Sequence, residues 1–270
     1  MYKLGAKPSK FSAGHFARMN VLSHHLDILG TPPVNSTDWS AAVIKTTGMN
    51  WGMMGNGNAP DNPPDVPDGA GDCMIADCGH RVMLMSANVL GSTNIIVPSA
   101  DTCLSFYEDE SGFVPGNDST DNGTDESDLA AYLANNLFDG QKLIAHASVR
   151  IRITDHIKWT VQKFGGCRFC IQLPQSAVDQ FDAGKPWDIV ANDGGILGGH
   201  DILGTHYIGD QFFIVTWGRL IPVSLAFLQR YMFEAHAEVW STWMNAQNKT
   251  IMGDDLSALT SALIHVHGNN

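Results

Sequence analysis

Basic side chains are scarce in this chain: 16 Lys and Arg stand against 28 Asp and Glu, a formal net charge of −12 over 270 residues. Binding to a phosphate backbone draws on clustered Lys and Arg that release counterions. No window holds such a cluster, which excludes nucleic acid as the main partner. Long apolar runs are missing too. None approaches the ~20 residues that span a bilayer, and the first residues, with Lys3, Lys7 and Lys10 among polar neighbours, contain no signal-peptide apolar region. The expectation is a protein kept in cytosol-like surroundings, or packaged from there into a particle, without membrane contact. Cysteine is sparse and odd in number: Cys73, Cys78, Cys103, Cys167 and Cys170 have no spacing of an extracellular disulfide framework, so at least one thiol stays free.

What the chain does have is enough apolar content, 44%, to fill one large domain or two lobes around a shared cleft without metal or disulfide staples. Residues 1–48 read as an N-terminal arm with a helix over 16–29, where Phe16, Met19, Leu22, Leu26 and Leu29 recur at helical spacing before Gly30-Thr31-Pro32-Pro33. Such an arm packs on its own domain or docks on a neighbouring subunit. Residues 55–71 are too rich in Gly, Pro and Asp for a helix or strand and read as a surface loop. The stretch 73–90 is apolar on most sides, as in a helix buried all round, and 99–112 is a second helix with Ser99 as N-cap. After a polar loop at 117–128 and a helix at 127–136, alternating β-branched segments predict strands at 147–153, 167–173, 200–208, 211–217 and 235–240. Helices first and strands second is the order of an α+β protein. The organisation predicted is an arm at 1–48, a domain at 49–245 divided near 140 into a helical and a β lobe, and a C-terminal helix and tail at 246–270.

Two motifs carry chemistry. Gly71-Asp72-Cys73 places a thiol at a helix start, where free amides lower a thiol pKa; a lone buried cysteine is otherwise a small hydrophobe. Far downstream, Gly198-Gly199-His200 opens a hairpin that ends at Thr216-Trp217-Gly218. Among the other histidines, His206 shares the strand but lacks the Gly-Gly turn, and His80 lies two helical turns beyond Cys73, out of reach of the thiol. Cys167-x-x-Cys170 suggests a metal, yet residues three apart on a strand face opposite sides, and no second pair has suitable spacing. The run 117–128 fails the order of a calcium loop, with Leu129 where a Glu is required. No metal and no cofactor is expected.

In this order the motifs resemble papain-like cysteine peptidases, in particular the papain-like proteins of tailed bacteriophages and prophages. The likeness rests on Trp51-Gly52-Met53-Met54-Gly55-Asn56, Gly71-Asp72-Cys73, Gly198-Gly199-His200 and Thr216-Trp217-Gly218, with the Leu4-Gly5-x-Lys7-Pro8 start and the Asp254-Asp255-Leu256 tail helix. It implies a helical lobe carrying Cys73 as nucleophile and a barrel-like lobe carrying His200 as base and acid, with Asp72, Gly199 and Trp217 in support. Two places depart from papain. Val215 stands where an Asn orients the histidine, leaving Thr216, a backbone carbonyl or Asp193 as substitutes, Thr216 first. Pro67 stands where a Gln donates to the oxyanion, and Asn56 is the expected replacement, with Asn58 next. The resemblance implies hydrolysis of an amide or isopeptide bond in a protein or peptide substrate, by a Cys–His pair, in a bacterial host cytoplasm or a virion. The alternative it leaves open is a catalytically weak scaffold serving as a virion or assembly protein, contacting other virion proteins or copies of itself through the arm. A cell-wall amidase would lack a visible wall-binding repeat.

Overall fold

The buried face of one helix organises the molecule. In the computed structural model, which describes residues 2–245, 247 and 249–265, the N-terminal half contains β1 (Ala6–Lys7), α1 (Ala13–Asp27), α2 (Ala41–Thr47), α3 (Cys73–Val89), α4 (Ala100–Ser111), β2 (Thr124–Asp125) and α5 (Glu126–Leu133). The C-terminal half contains β3 (Leu143–Ser148), α6 (Thr154–Lys163), β4 (Cys167–Pro174), α7 (Gln175–Asp182), β5 (Ile196–Ile208), β6 (Gln211–Thr216), β7 (Arg219–Ser224), α8 (Leu225–Tyr231), β8 (Met232–Trp240) and α9 (Ser257–His265). Every residue of α3 from Cys73 to Ala87 is buried, the outcome expected of a helix with apolar residues on all sides. Ser99 caps α4 by accepting from the Thr102 amide, and Gly112 ends it in the left-handed conformation, sparing a side chain the strain.

The six-stranded antiparallel sheet has the order β3-β8-β4-β5-β6-β7. Alternation along β4 divides two cores. Cys167, Phe169, Ile171 and Leu173 enter the core shared with α6, α7 and α8, whereas Cys170 enters the core built around α3. The two cysteines of the Cys-x-x-Cys segment therefore face opposite sides of the sheet.

Several expectations are corrected. The strand predicted at 147–153 lies earlier, at β3, and α6 follows; His156, Ile157, Thr160 and Val161 are its buried stripe, and their β-branching disguised the helical spacing. No strand is predicted at 219–224; β7 lies there as the sheet's outer strand, where the missing amide donor of Pro222 is tolerated. The segment 1–48 also holds α2 and the short strand β1, which pairs in parallel with β2.

Between α3 and the sheet lies a buried ionic cluster that the sequence did not announce. The Arg168 guanidinium, fully enclosed, donates to Asp201, to Glu238 at 2.7 Å and to the Met74 carbonyl at 3.1 Å, and lies 3.0 Å from Asp77 and 3.2 Å from Glu126. Arg81 lies 3.1 Å from Glu238 and 3.5 Å from Asp77. Burial works against the Glu238 charge, yet Arg168 and Arg81 hold its carboxyl down at about 2. Burial pushes Glu126 and Asp201 well above the ordinary carboxylate range. Burial thus disfavours the charged form of both, in a cluster in which acids outnumber guanidiniums. Arg168→Met should lower the unfolding free energy by about 3–5 kcal/mol at pH 7, because it strands buried carboxylates. Urea titrations should show the deficit shrinking as pH falls from about 4.5 toward 2, where Glu238 takes up its proton; a deficit under 1 kcal/mol at pH 7 would contradict this account.

Candidate active site

Cys73 is the first residue of α3 and is almost wholly buried. The chain before it is strapped in place: the Gly71 amide donates to both oxygens of Asp121, at 2.9 and 3.0 Å, and the Tyr107 hydroxyl also donates to Asp121, at 2.9 Å. Asp72 occupies the N-cap position without accepting a capping hydrogen bond, and burial pushes its carboxyl well above the usual range. Asn56 reaches the same place across the intervening loop. Ala70 donates its amide to the Gly55 carbonyl at 2.8 Å, and Asn56 Nδ2 donates to the Ala70 carbonyl at 3.2 Å, so the two ends of the 55–71 loop are pinched together. Asn58 instead donates to Asp68, at the surface.

His200 lies on β5, one residue from Asp201 of the ionic cluster. Its Nε2 is 2.7 Å from the Thr216 hydroxyl oxygen, and Nδ1 is buried without a hydrogen-bond partner. Trp217 stacks on the imidazole at 4.6 Å between centroids and 21° between planes. Val215 turns into the α3 core, while Thr216 is the residue of β6 that meets the imidazole. Trp217 takes a positive φ of 43°, a strained setting for a bulky side chain, and the next residue is a left-handed glycine whose carbonyl accepts from the Trp51 amide at 2.9 Å. Asp193 is engaged by the Tyr231 hydroxyl at 2.8 Å. A bulge between Gly204 and His206 shifts the register of β5, and His206 stacks on Phe213 beside Asp38.

Cys73, His200, Asn56, Thr216 and Trp217 line one cavity of about 10 Å³, the lower limit for a single water. His80 lines it as well, its Nε2 3.0 Å from the Gly52 carbonyl oxygen. Seven residues on a helix return to nearly the same face, so spacing alone could have identified His80 as a neighbour of the cavity. The thiol itself departs from expectation. Burial, with the Asp201 carboxyl adding to it, pushes Cys73 far above its ordinary pKa, outweighing the amides that reach the sulfur. Burial and nearby His80 hold His200 down at about 3. In this state the pair is an uncharged thiol beside an uncharged imidazole.

The site is closed by the chain's own beginning. The Gly5 amide lies on the Cys73 side of the strand, where it works to lower the thiol's pKa, and the Gly5 carbonyl accepts from the Thr124 amide at 3.0 Å. A methyl group on Gly5 would lie 1.7 Å from the Gly71 carbonyl oxygen, and one on Gly199 would lie 1.9 Å from the Ala6 carbonyl oxygen. The Tyr2 ring stacks on Trp217 at 4.3 Å, and its hydroxyl donates to Asp182 at 2.6 Å. At the other end the Ser9 amide and hydroxyl donate to Glu234 at 2.7 and 2.6 Å.

No protein-family model and no curated protein sequence matches the chain. Among solved structures, the fold is similar to the crystal structure of xylellain, a cysteine protease from Xylella fastidiosa, with a TM-score of 0.62 and 12% identity over 88% of this chain and 96% of that one. The fold is thus papain-like: a helical lobe joined to an antiparallel sheet.

An imidazole held down by burial binds fewer protons folded than unfolded. Its contribution is complete above the unfolded pKa near 6.5 and is lost as pH falls toward 3. Unfolding titrations should show His200 costing up to about 1.4 kcal/mol per pH unit below 6.5, a slope that His200→Gln removes. An NMR spectrum in which His200 is protonated at pH 5.5 would contradict the closed, neutral pair.

Proposed function

We propose that this protein is a papain-like cysteine hydrolase acting on peptide or other amide bonds, with Cys73 as nucleophile and His200 as general base and acid. The observation that carries the reading is the contact of His200 Nε2 with the Thr216 hydroxyl, with Nδ1 left unpartnered in the cavity lined by Cys73. When Nε2–H donates to Thr216 Oγ1, Nδ1 is left as an acceptor in the cavity that Cys73 shares. Nδ1 takes the thiol proton as sulfur attacks the substrate carbonyl carbon. The Cys73 backbone amide and the Asn56 side-chain amide, both on residues that line this cavity, are the proposed donors to the oxygen as it gains charge. The imidazolium then gives its proton to the leaving amine, and a water activated by the same nitrogen hydrolyses the thioester. Trp217 covers the flat face of the imidazole and keeps bulk water off it. Burial makes the proton transfer uphill while the cleft is filled; displacing the N-terminal strand hydrates both groups and brings their pKa values together.

The substrate is a protein or peptide, in the phage or prophage setting to which the motifs point, within a bacterial host or a virion. A second reading has an observation of its own: the filled cleft and uncharged pair suit a papain-like scaffold that serves in assembly without catalysis.

Incubation with excess denatured protein, with new N-termini counted by mass spectrometry, separates them. Wild type should cleave, and Cys73→Ala and His200→Ala should each lose about 10²–10⁴-fold or more. Equal counts for wild type and Cys73→Ala would leave the scaffold reading. Thr216→Val should lower kcat about tenfold, the equivalent of one lost hydrogen bond, and Thr216→Ser should restore it. Full activity in Thr216→Val would remove Thr216 from the mechanism.

A further inference from the structure

We propose that the cleft is a glycine-selecting channel for an extended Leu-Gly-Ala type segment, and that residues 2–8 are its resident ligand. This deepens the hydrolase reading by naming the substrate class. Its test reads binding rather than cleavage, so a catalytically silent protein still decides it.

Selectivity comes from backbone on both sides. Gly5 sits against the Gly71 carbonyl and the Cys73 sulfur, and a methyl there would meet main-chain atoms at 1.7 and 2.6 Å, which cannot swing aside as a side chain does. The wall is equally intolerant. A methyl on Gly123 would lie 1.9 Å from the Gly5 carbonyl oxygen, and one on Gly199 would strike Ala6. The neighbouring positions are roomier. A methyl on Gly198 would stand 3.2 Å from the flexible Leu4 side chain, and Leu4 borders a hollow lined also by Leu173, Val178 and Leu197. Tyr2 lies between Trp217 and the edge of Phe181. The channel thus reads an aromatic residue three places before the glycine, an apolar residue one place before it and glycine at the thiol, with main-chain pairing to Thr124 after it. His200 Nδ1 is buried and unpartnered in the small cavity beneath this segment, shared with Cys73.

The experiment uses the full chain carrying Gly5→Ala, which expels the resident strand while leaving the walls intact. Iodoacetamide should label Cys73 in this variant at least about tenfold faster than in wild type. A fluorescent Tyr-Lys-Leu-Gly-Ala-Lys-Pro peptide should bind the vacated cleft by anisotropy. The same peptide with Ala for Gly should bind at least about tenfold more weakly, a difference of about 1.4 kcal/mol. Wild type provides a measurement independent of how well the variant folds: the peptide ends before Ser9, so excess glycine peptide that displaces the resident strand should accelerate hydrogen exchange at the Ser9 amide, which donates to Glu234, and the alanine peptide should not. Equal binding of the two peptides, unchanged Cys73 labelling in a folded Gly5→Ala protein, or no acceleration at Ser9 would each overturn the proposal.

Discussion

The rest of the structure depends on the enclosed guanidinium of Arg168. It stands on β4 and reaches the Met74 carbonyl and Asp77 on α3, Glu126 on α5, Asp201 on β5 and Glu238 on β8, so one side chain ties the central helix to three adjacent strands. An apolar side chain of similar volume would fill the space, but it would not fix the helix against the strands in one register. A planar fork of donors accepts one arrangement of carboxylates and rejects neighbouring ones. Cys73 and His200 lie at the margins of this cluster, one residue from Met74 and one residue from Asp201. Precision at the site is inherited from the ionic core.

The same burial that locks the helix silences the thiol. Helix amides stabilise a thiolate only where solvent or an imidazolium shares the task. With the strand in place, desolvation dominates, and both partners of the pair are neutral. Thr216 gives the imidazole a hydrogen-bonding partner without bringing a charge into the cleft. A carboxylate in its place would have raised the histidine's pKa at the expense of another buried ion.

Closure depends on glycine at matched positions in the strand and the walls. Gly5, Gly71, Gly123 and Gly199 let main chains approach more closely than any side chain permits, and Tyr2 and Ser9 fasten the strand at its two ends. The arm is therefore part of the cleft, while α1 behind it packs Leu22 and Leu26 into the core that holds α6 and β3.

The central helix, the Ser99 cap, the antiparallel strands after residue 140 and the motifs at Cys73, His200 and Thr216 were legible in the sequence because each is a local pattern: periodicity, capping chemistry or turn-flanked spacing. The contact of Thr216 with His200 was legible for the same reason, as Thr216 is the neighbour of Val215 on the same strand. Helix α6, whose buried stripe includes the β-branched Ile157, Thr160 and Val161, and strand β7, which carries Pro222, were not read from the sequence, because tertiary packing overrides local preference at both. Tertiary structure alone decided three things: that Asp77, Arg81, Glu126, Arg168, Asp201 and Glu238 meet, that residues 2–8 fill the cleft, and that Cys73 is a neutral thiol. Each depends on long-range juxtaposition and on the dielectric it creates, and a pKa or a charge pair has no signature in the order of residues along the chain.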